Sequence, residues 1–450
     1  MINFQNILNI IINKLIVPTI CLVFFASINN LGAIEYQTFT LKNGLKAYIF
    51  KTPNPIITYA IAYNVGSMDE EENQQGIAHY LEHTMFLGTN RYSKKEYADL
   101  IKKMGAYYNA FTSYDITLYY TSLPNIYLRT IMKIEADRMR WLKIENIPVT
   151  NEKKVINEER NMYNNKPYNQ FYDVARRAIF PTTNYGRTVI GNYNTFQQIT
   201  PAELRQFYEK WYTPNNANIF IIGNVNFNEV EEYLNKYYTN LQPTRTINKR
   251  NNYLEPAYLA NYTLKYKNDN IKQDVILKSY NVPSLISDTS KGSKEAYALV
   301  VISKILQSKA NILYKDLVLD KKLAVDVSID YDPFAKGNTD FSITVVPQDG
   351  ISANKVIGEL NLTLAQIARR GFSRKEIAIS SRKIKDELEL LQEDDNEYLF
   401  TMARYINAGV SVEEVLDLPN KLSATKVKDI NLYYKRLLRQ HYVLSEALKK

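Results

Sequence analysis

Gly76-Ile77-Ala78-His79-Tyr80-Leu81-Glu82-His83-Thr84-Met85-Phe86-Leu87-Gly88 governs how the rest of this 450-residue chain is read. Apolar residues at Ile77, Leu81 and Met85 recur at helical spacing and give the segment a face that can seat on a core. His79 and His83 are four residues apart, so on a helix both imidazoles project from one side about one turn apart. Two ligands of a single metal ion need that separation. Glu82 joins the same face, where a carboxylate can serve as general base toward a metal-activated water. The chain has only three histidines, and two of them fall in this frame. His441 stands alone near the C-terminus and reads as structural or exposed.

A tetrahedral site built on two imidazoles and a water requires one more protein ligand. The helical stretch that begins near Asn151 offers Glu159, read as lying within an apolar stripe marked by Val155, Ile156, Met162 and Tyr163. A carboxylate in such a stripe is costly to bury unless it meets a cation. Glu152 lies one heptad earlier on the same face and is expected to orient an imidazole from behind. Glu158 is rotated off that line. Nitrogen ligands with one carboxylate suit Zn2+, one ion per chain.

Outward from the motif, strand-like and helix-like segments are mixed, which argues an α+β fold. Strands read at Gly44–Phe50, Ile56–Val65, Ala106–Phe111, Ile116–Ser122 and Asn218–Ile222, with helices at Gln74–Leu87, Ser93–Met104 and from Asn151 past Tyr163. Pro243 and the polar run Thr244–Asn252 read as a linker. Beyond it the same order returns: a strand at Gln273–Ser279, a helix at Ser293–Gln307, strands at Leu323–Ile329 and Phe341–Val346, and long helices at Ala353–Arg369 and Arg374–Leu391. Two tandem homologous α/β-layer domains explain the length better than a single large core. The expected division is a targeting segment at 1–33, a metal-binding domain at 34–242, a linker at 243–258 and a related domain without metal at 259–450. The second-half helix carries no histidine.

Composition narrows the function classes. The hydrophobic fraction of 45% supports a globular core, and the net charge of +9 is dispersed rather than gathered into a tract, so nucleic-acid binding is not expected. The one cysteine, Cys21, lies in the apolar run Leu15–Ile28, which excludes thiolate chemistry from the remainder of the chain. That run follows Lys14 and is too short for a comfortable membrane span, so it reads as a secretory signal. The chain is then expected in the bacterial periplasm, with membrane contact only if the segment stays uncleaved as an anchor.

Around the motif stand Gly105-Ala-Tyr-Tyr-Asn109-Ala-Phe-Thr112-Ser, Glu152-Lys-Lys-Val-Ile-Asn-Glu-Glu159-Arg, Gly191-Asn192, and Trp211-Tyr-Thr-Pro214 followed by Ile221-Ile-Gly-Asn224. With these the chain resembles the insulinase, pitrilysin and mitochondrial processing peptidase family of zinc metallopeptidases, which carry an inverted HxxEH motif. The resemblance covers most of residues 36–230; the second half is similar only in layout and in 317–327. It implies His79, His83 and Glu159 as zinc ligands and Glu82 as the base. It also implies that Asn109, Ala110, Phe111 and Thr112 form a strand on which a substrate peptide lies in extended form, bound mainly through its backbone. The implied activity is endopeptidase cleavage of peptides or unfolded polypeptides.

Family members enclose substrate between two halves, each made of two related domains. This chain corresponds to one half of that clamshell, so the resemblance implies a homodimer or a heterodimer with a related metal-free subunit. The family's enclosing half supplies an Arg and a Tyr from a strand in its last domain, whereas Thr339–Val346 contains no Arg. The alternative from another functional class is a non-catalytic binding or assembly subunit on the same scaffold, whose mark would be a damaged metal motif.

Overall fold

The computed structural model describes residues 34–244, 247 and 254–450. The expected targeting segment 1–33 and part of the expected linker lie outside the described residues. The first half runs β1 (Glu35–Thr40), β2 (Lys46–Lys51), β3 (Ile56–Tyr63), α1 (Ile77–Thr84), α2 (Lys94–Lys103), β4 (Tyr107–Thr112), β5 (Thr117–Pro124), α3 (Leu128–Trp141), α4 (Asn146–Asn164), α5 (Pro167–Ile179), α6 (Pro201–Trp211), β6 (Ala217–Gly223) and α7 (Phe227–Tyr237). The longer elements of the second are β7 (Tyr262–Asn268), β8 (Val275–Val282), α8 (Lys294–Gln307), β9 (Ala324–Tyr331), β10 (Thr339–Pro347), α9 (Ala353–Arg370), α10 (Arg374–Leu390), α11 (Asp395–Ala408), α12 (Val427–Leu437) and β11 (Val443–Lys449).

The sheets are ordered β1-β2-β6-β3-β5-β4 and β7-β11-β8-β10-β9. Leaving β1 aside, they match strand for strand. In each, the last strand of the module inserts between the first two, parallel to the first and antiparallel to the second. The fourth and third strands then continue outward in antiparallel pairing. The chain therefore repeats one α+β module, with α8 in the place of α1.

β3 reads as a nearly continuous apolar run because both faces of its sheet are covered. Ile57, Tyr59, Ile61 and Tyr63 pack beneath α1, α3, α4 and α6. Ala60 and Ala62, with Phe50, Leu118, Phe220 and Ile222, meet Leu399, Met402, Ala403 and Ile406 of α11. That helix belongs to the second half of the chain. The exchange is reciprocal: Phe171, Ala175 and Ile179 of α5 cover Val275, Leu277, Val443 and Ala447 on the second sheet. Each module thus completes its core with a helix supplied by the other.

Two local expectations differ from what forms. α4 begins at Asn146, not near Asn151, because Pro148 falls in its first turn, where a missing N–H costs nothing. Of the expected stripe Ile156 is buried, but Val155 and Met162 are 51% and 63% exposed and Arg160 is buried instead, so the inward face is rotated from the predicted stripe. Among the described residues, no helix is long and apolar enough to cross a membrane.

Truncating Leu399, fully buried against the first sheet, should cost about 2–5 kcal/mol. Urea unfolding of Leu399→Ala measures the loss, and amide exchange should quicken in β3 and β6 although the altered residue lies far downstream.

Candidate metal centre

α1 is short and must be fixed at both ends. Its entry residue Gly76 sits at φ +94°, and a Cβ there would come within 2.6 Å of the Ile190 carbonyl. A Cβ on Gly191 would meet Gln75 at 2.3 Å, so two glycines are what let the 190–191 loop press against the start of the helix. The buried Glu70 carboxylate accepts from the amides of Gly76 (2.9 Å) and Ala78 (3.0 Å), satisfying first-turn donors. Tyr80 donates its hydroxyl to the Val149 carbonyl at 2.7 Å, tying α1 to the beginning of α4. Farther along α4, Arg160 donates to the carbonyls of Ile190 (2.8 Å) and Gly191 and lies 5.2 Å from the Phe196 ring centre.

These ties bring the imidazoles of α1 against the carboxylates of α4. Nε2 of His79 and Nε2 of His83 lie 3.6 and 3.4 Å from one oxygen, Oε2 of Glu159. The three ligand atoms all fall within 4.8 Å of one another. Around a tetrahedral ion with bonds of about 2.1 Å, neighbouring ligand atoms stand about 3.4 Å apart, so the donor set and spacing fit zinc. Glu152 Oε1 lies 3.0 Å from Nδ1 of His83; in the neutral ring that binds a metal, that contact places the proton on Nδ1 and turns the Nε2 lone pair toward Glu159. Nδ1 of His79 is buried without a hydrogen-bond partner among the described residues.

The electrostatics call for positive charge at this point. Burial pushes the His79 imidazole below its usual value, toward the neutral form that binds metals. Burial also opposes a charge on His83, but its hydrogen bonds to Glu152 and Glu159 outweigh that and raise it to about 9. Glu159 is lowered: burial works against its ionisation, while the bond to His83 and the two imidazoles more than compensate. A cation seated among the three would meet that demand with both rings neutral.

Glu82 is half-buried on the same helix and accepts from the Thr112 hydroxyl at 2.5 Å. Of the strand expected to receive substrate, β4 is the outer strand of its sheet and pairs only with β5. Ala110 is buried beneath α1, the Phe111 ring lies 6.2 Å from that of Phe400, and Asn109 is exposed with its Oδ1 accepting from the Ala110 amide at 2.9 Å. A cavity of about 1390 Å3 begins at Phe111–Ile116 and extends between α5 and the polar side of β9 and β10, lined there by Asp330, Asp340, Ser342 and Thr344. The candidate ligands themselves do not line it; Thr112, which does, bonds to Glu82 beside them. His441 is exposed, facing Asn261.

Sequence reasoning did not single out Glu70 or Arg160. Glu70 lies in the acidic run Asp69–Glu72, and nothing in the run marks which carboxylate turns inward. Arg160 directly follows a proposed ligand; a cation there on a buried face was the available signal.

The description of insulinase, peptidase family M16, matches residues 47–192, and that of the peptidase M16 inactive domain matches residues 198–383. The chain belongs to this family. An uncharacterised zinc protease of Bacillus subtilis, YmxG, is 24% identical over 418 residues, spanning 91% of this chain and 97% of that protein. The probable zinc protease PqqL of Escherichia coli is 33% identical over 200 residues, 42% of this chain and 21% of that protein. The crystal structure of a protease from Helicobacter pylori superposes with a TM-score of 0.83 at 23% identity, covering 92% of this chain and all of that one (100%). Periplasmic PqqL from Escherichia coli superposes with a TM-score of 0.80 at 21% identity, but this chain spans only 48% of it. Within the family, then, this chain equals some relatives in length and about half of others. Its relatives are named zinc proteases, which supports a zinc peptidase family here. The inactive-domain match begins at residue 198, within the first module, and ends at 383, and α8 inside it carries no histidine.

Replacing Glu152 by Ala should weaken zinc binding about 10- to 100-fold, the usual cost of losing a carboxylate behind a ligating imidazole. Glu159→Ala should abolish stoichiometric zinc. Competition against a chromophoric chelator distinguishes the two.

Proposed function

We propose that this chain is a zinc-dependent endopeptidase that cleaves peptides or unfolded polypeptides held as an extended strand, with one zinc per chain held by His79, His83 and Glu159. The supporting observation is the approach of both Nε2 atoms to a single Glu159 oxygen with Glu82 alongside. When bound there, zinc supplies Lewis-acid polarisation of the scissile carbonyl and acidifies the attacking water. Glu82 takes the proton from that water and delivers it to the leaving nitrogen. Glu152 holds the His83 ring through Nδ1. The free edge of β4 offers backbone donors and acceptors to a peptide, a mode of recognition that reads few side chains, and the cavity beyond Thr112 receives the rest of the segment.

The reading extends to a partner. PqqL and pitrilysin are about twice as long, this chain spanning 48% and 45% of them, and one relative is named as the beta subunit of a mitochondrial processing peptidase. A second copy, or a related subunit without the metal motif, would close the cavity side and supply the Arg that β10 lacks. The apolar N-terminal run and the periplasmic description of PqqL support a periplasmic location. A non-catalytic assembly role is disfavoured because all four motif residues are present and converge.

Glu82→Gln should keep one zinc per chain and lower cleavage of an unstructured peptide by about 100-fold or more. Retention of full activity would sink the mechanism. A chelator should abolish wild-type cleavage and added zinc should restore it.

A further inference from the structure

The groups that could act beyond the ligand set are few. The cavity's carboxylates Asp330 and Asp340 share their surroundings with Lys166, Arg176 and Lys272, and the exposed apolar residues of α4 face nothing that identifies an occupant. One contact stands apart: the hydrogen bond between Thr112 on β4 and Glu82 on α1.

Glu82 makes no other hydrogen bond or ion pair among the described residues. The terminal torsion of a glutamate is broad and two-fold, so an unpartnered carboxylate has no fixed plane. An ionised carboxylate only accepts, so the Thr112 hydroxyl donates to Oε2, and at 2.5 Å the bond is short and charge-assisted. With Oε2 held, Oε1 is left to exchange protons with water and leaving group.

The Thr112 side is firmly backed. Ala110 and Thr112 share the strand face that looks toward α1, while Phe111 is turned to α11. Thr112 is paired with Thr117, which is fully buried and donates to the Val65 carbonyl at 2.9 Å. The hydroxyl is therefore presented by a rigid strand rather than by a loop.

We propose that Thr112 is a positioning residue that orients the Glu82 carboxylate, so that the strand which receives the peptide also aims the base. This rests on Glu82 being the base. It assigns the Thr112 side chain a role distinct from substrate contact: the backbone of β4 pairs with the peptide while the hydroxyl faces inward. A peptide that adds a strand to β4 stiffens the element that aligns the base, which links engagement of an extended segment to proton transfer.

The test is Thr112→Val, which keeps the shape and removes the donor, beside Thr112→Ser, which restores a donor. In Thr112→Val, kcat for an unstructured peptide should fall about 10- to 100-fold, the scale on which misplaced catalytic groups act. KM should stay within about twofold, zinc should remain at one per chain, and Thr112→Ser should recover most of kcat. A raised KM with unchanged kcat, loss of zinc, or a serine variant no better than valine would overturn the proposal. Crystal structures of zinc-loaded wild type and Thr112→Val supply a readout independent of turnover: the Glu82 carboxylate plane should be fixed in the first and rotated or split in the second. An unmoved carboxylate refutes the positioning role even if the variant is slow. If wild type cleaves nothing, the endopeptidase reading falls, and the carboxylate geometry still decides this one.

Discussion

For the three candidate ligand atoms on two helices to hold a single ion, α1 and α4 must be held together to within about 0.5 Å. The fold around the candidate centre is organised by that demand. Ile77 and Leu81 of α1 and Ile156 of α4 are fully buried in one cluster, but apolar packing alone tolerates sliding. Directional bonds remove that freedom: Tyr80 to Val149 at one end of α4, and Arg160 to the 190–191 carbonyls at the other. Arg160 adjoins Glu159, so the group that anchors the helix also sets the angle at which its neighbour leaves it. Gly76 and Gly191 allow the anchored loop to lie directly on the entry to α1.

The second module shows the same topology freed of that demand. α8 has Ala298, Leu299, Val301 and Ile302 buried and carries no histidine, and it acts as core rather than as a site. Its module instead completes the first sheet through α11 and forms the polar wall of the cavity through β9 and β10. The reciprocal gift of α5 means that neither sheet has both faces covered without the other half. The modules are therefore separable in sequence pattern but not in packing.

The convergence of these side chains was legible beforehand because a candidate metal site leaves an unusual pattern: polar residues at helical spacing beside apolar ones, as in Ile77, His79, Leu81, Glu82 and His83. The strands of the first sheet and the repeat of the element order were legible for the same reason, periodicity. What periodicity cannot carry is partner identity. Leu399, Met402, Ala403 and Ile406 announce a one-sided helix but not the sheet it covers. Val155 and Met162 look like core and are exposed, because the face of α4 is set by Arg160 and Glu159, whose inward turn depends on contacts with residues far away in sequence. The Thr112 hydroxyl is likewise a matter of which strand lies under which helix.

The four outer strands of the two sheets are unlike. β1 carries Glu35, β7 carries Lys265 and Lys267, and β9 carries Asp326 and Asp330; β4 alone, Tyr107-Tyr-Asn-Ala-Phe-Thr112, has neither charge nor proline. Charged or proline-bearing edges are what keep sheets of different molecules from joining. β4, the strand proposed to receive a peptide, lacks that protection, with Tyr107 60% exposed. Under the proposed function, receptivity to a peptide and vulnerability to aggregation would be one property of this edge, and a closing partner would guard against aggregation as well as wall the chamber.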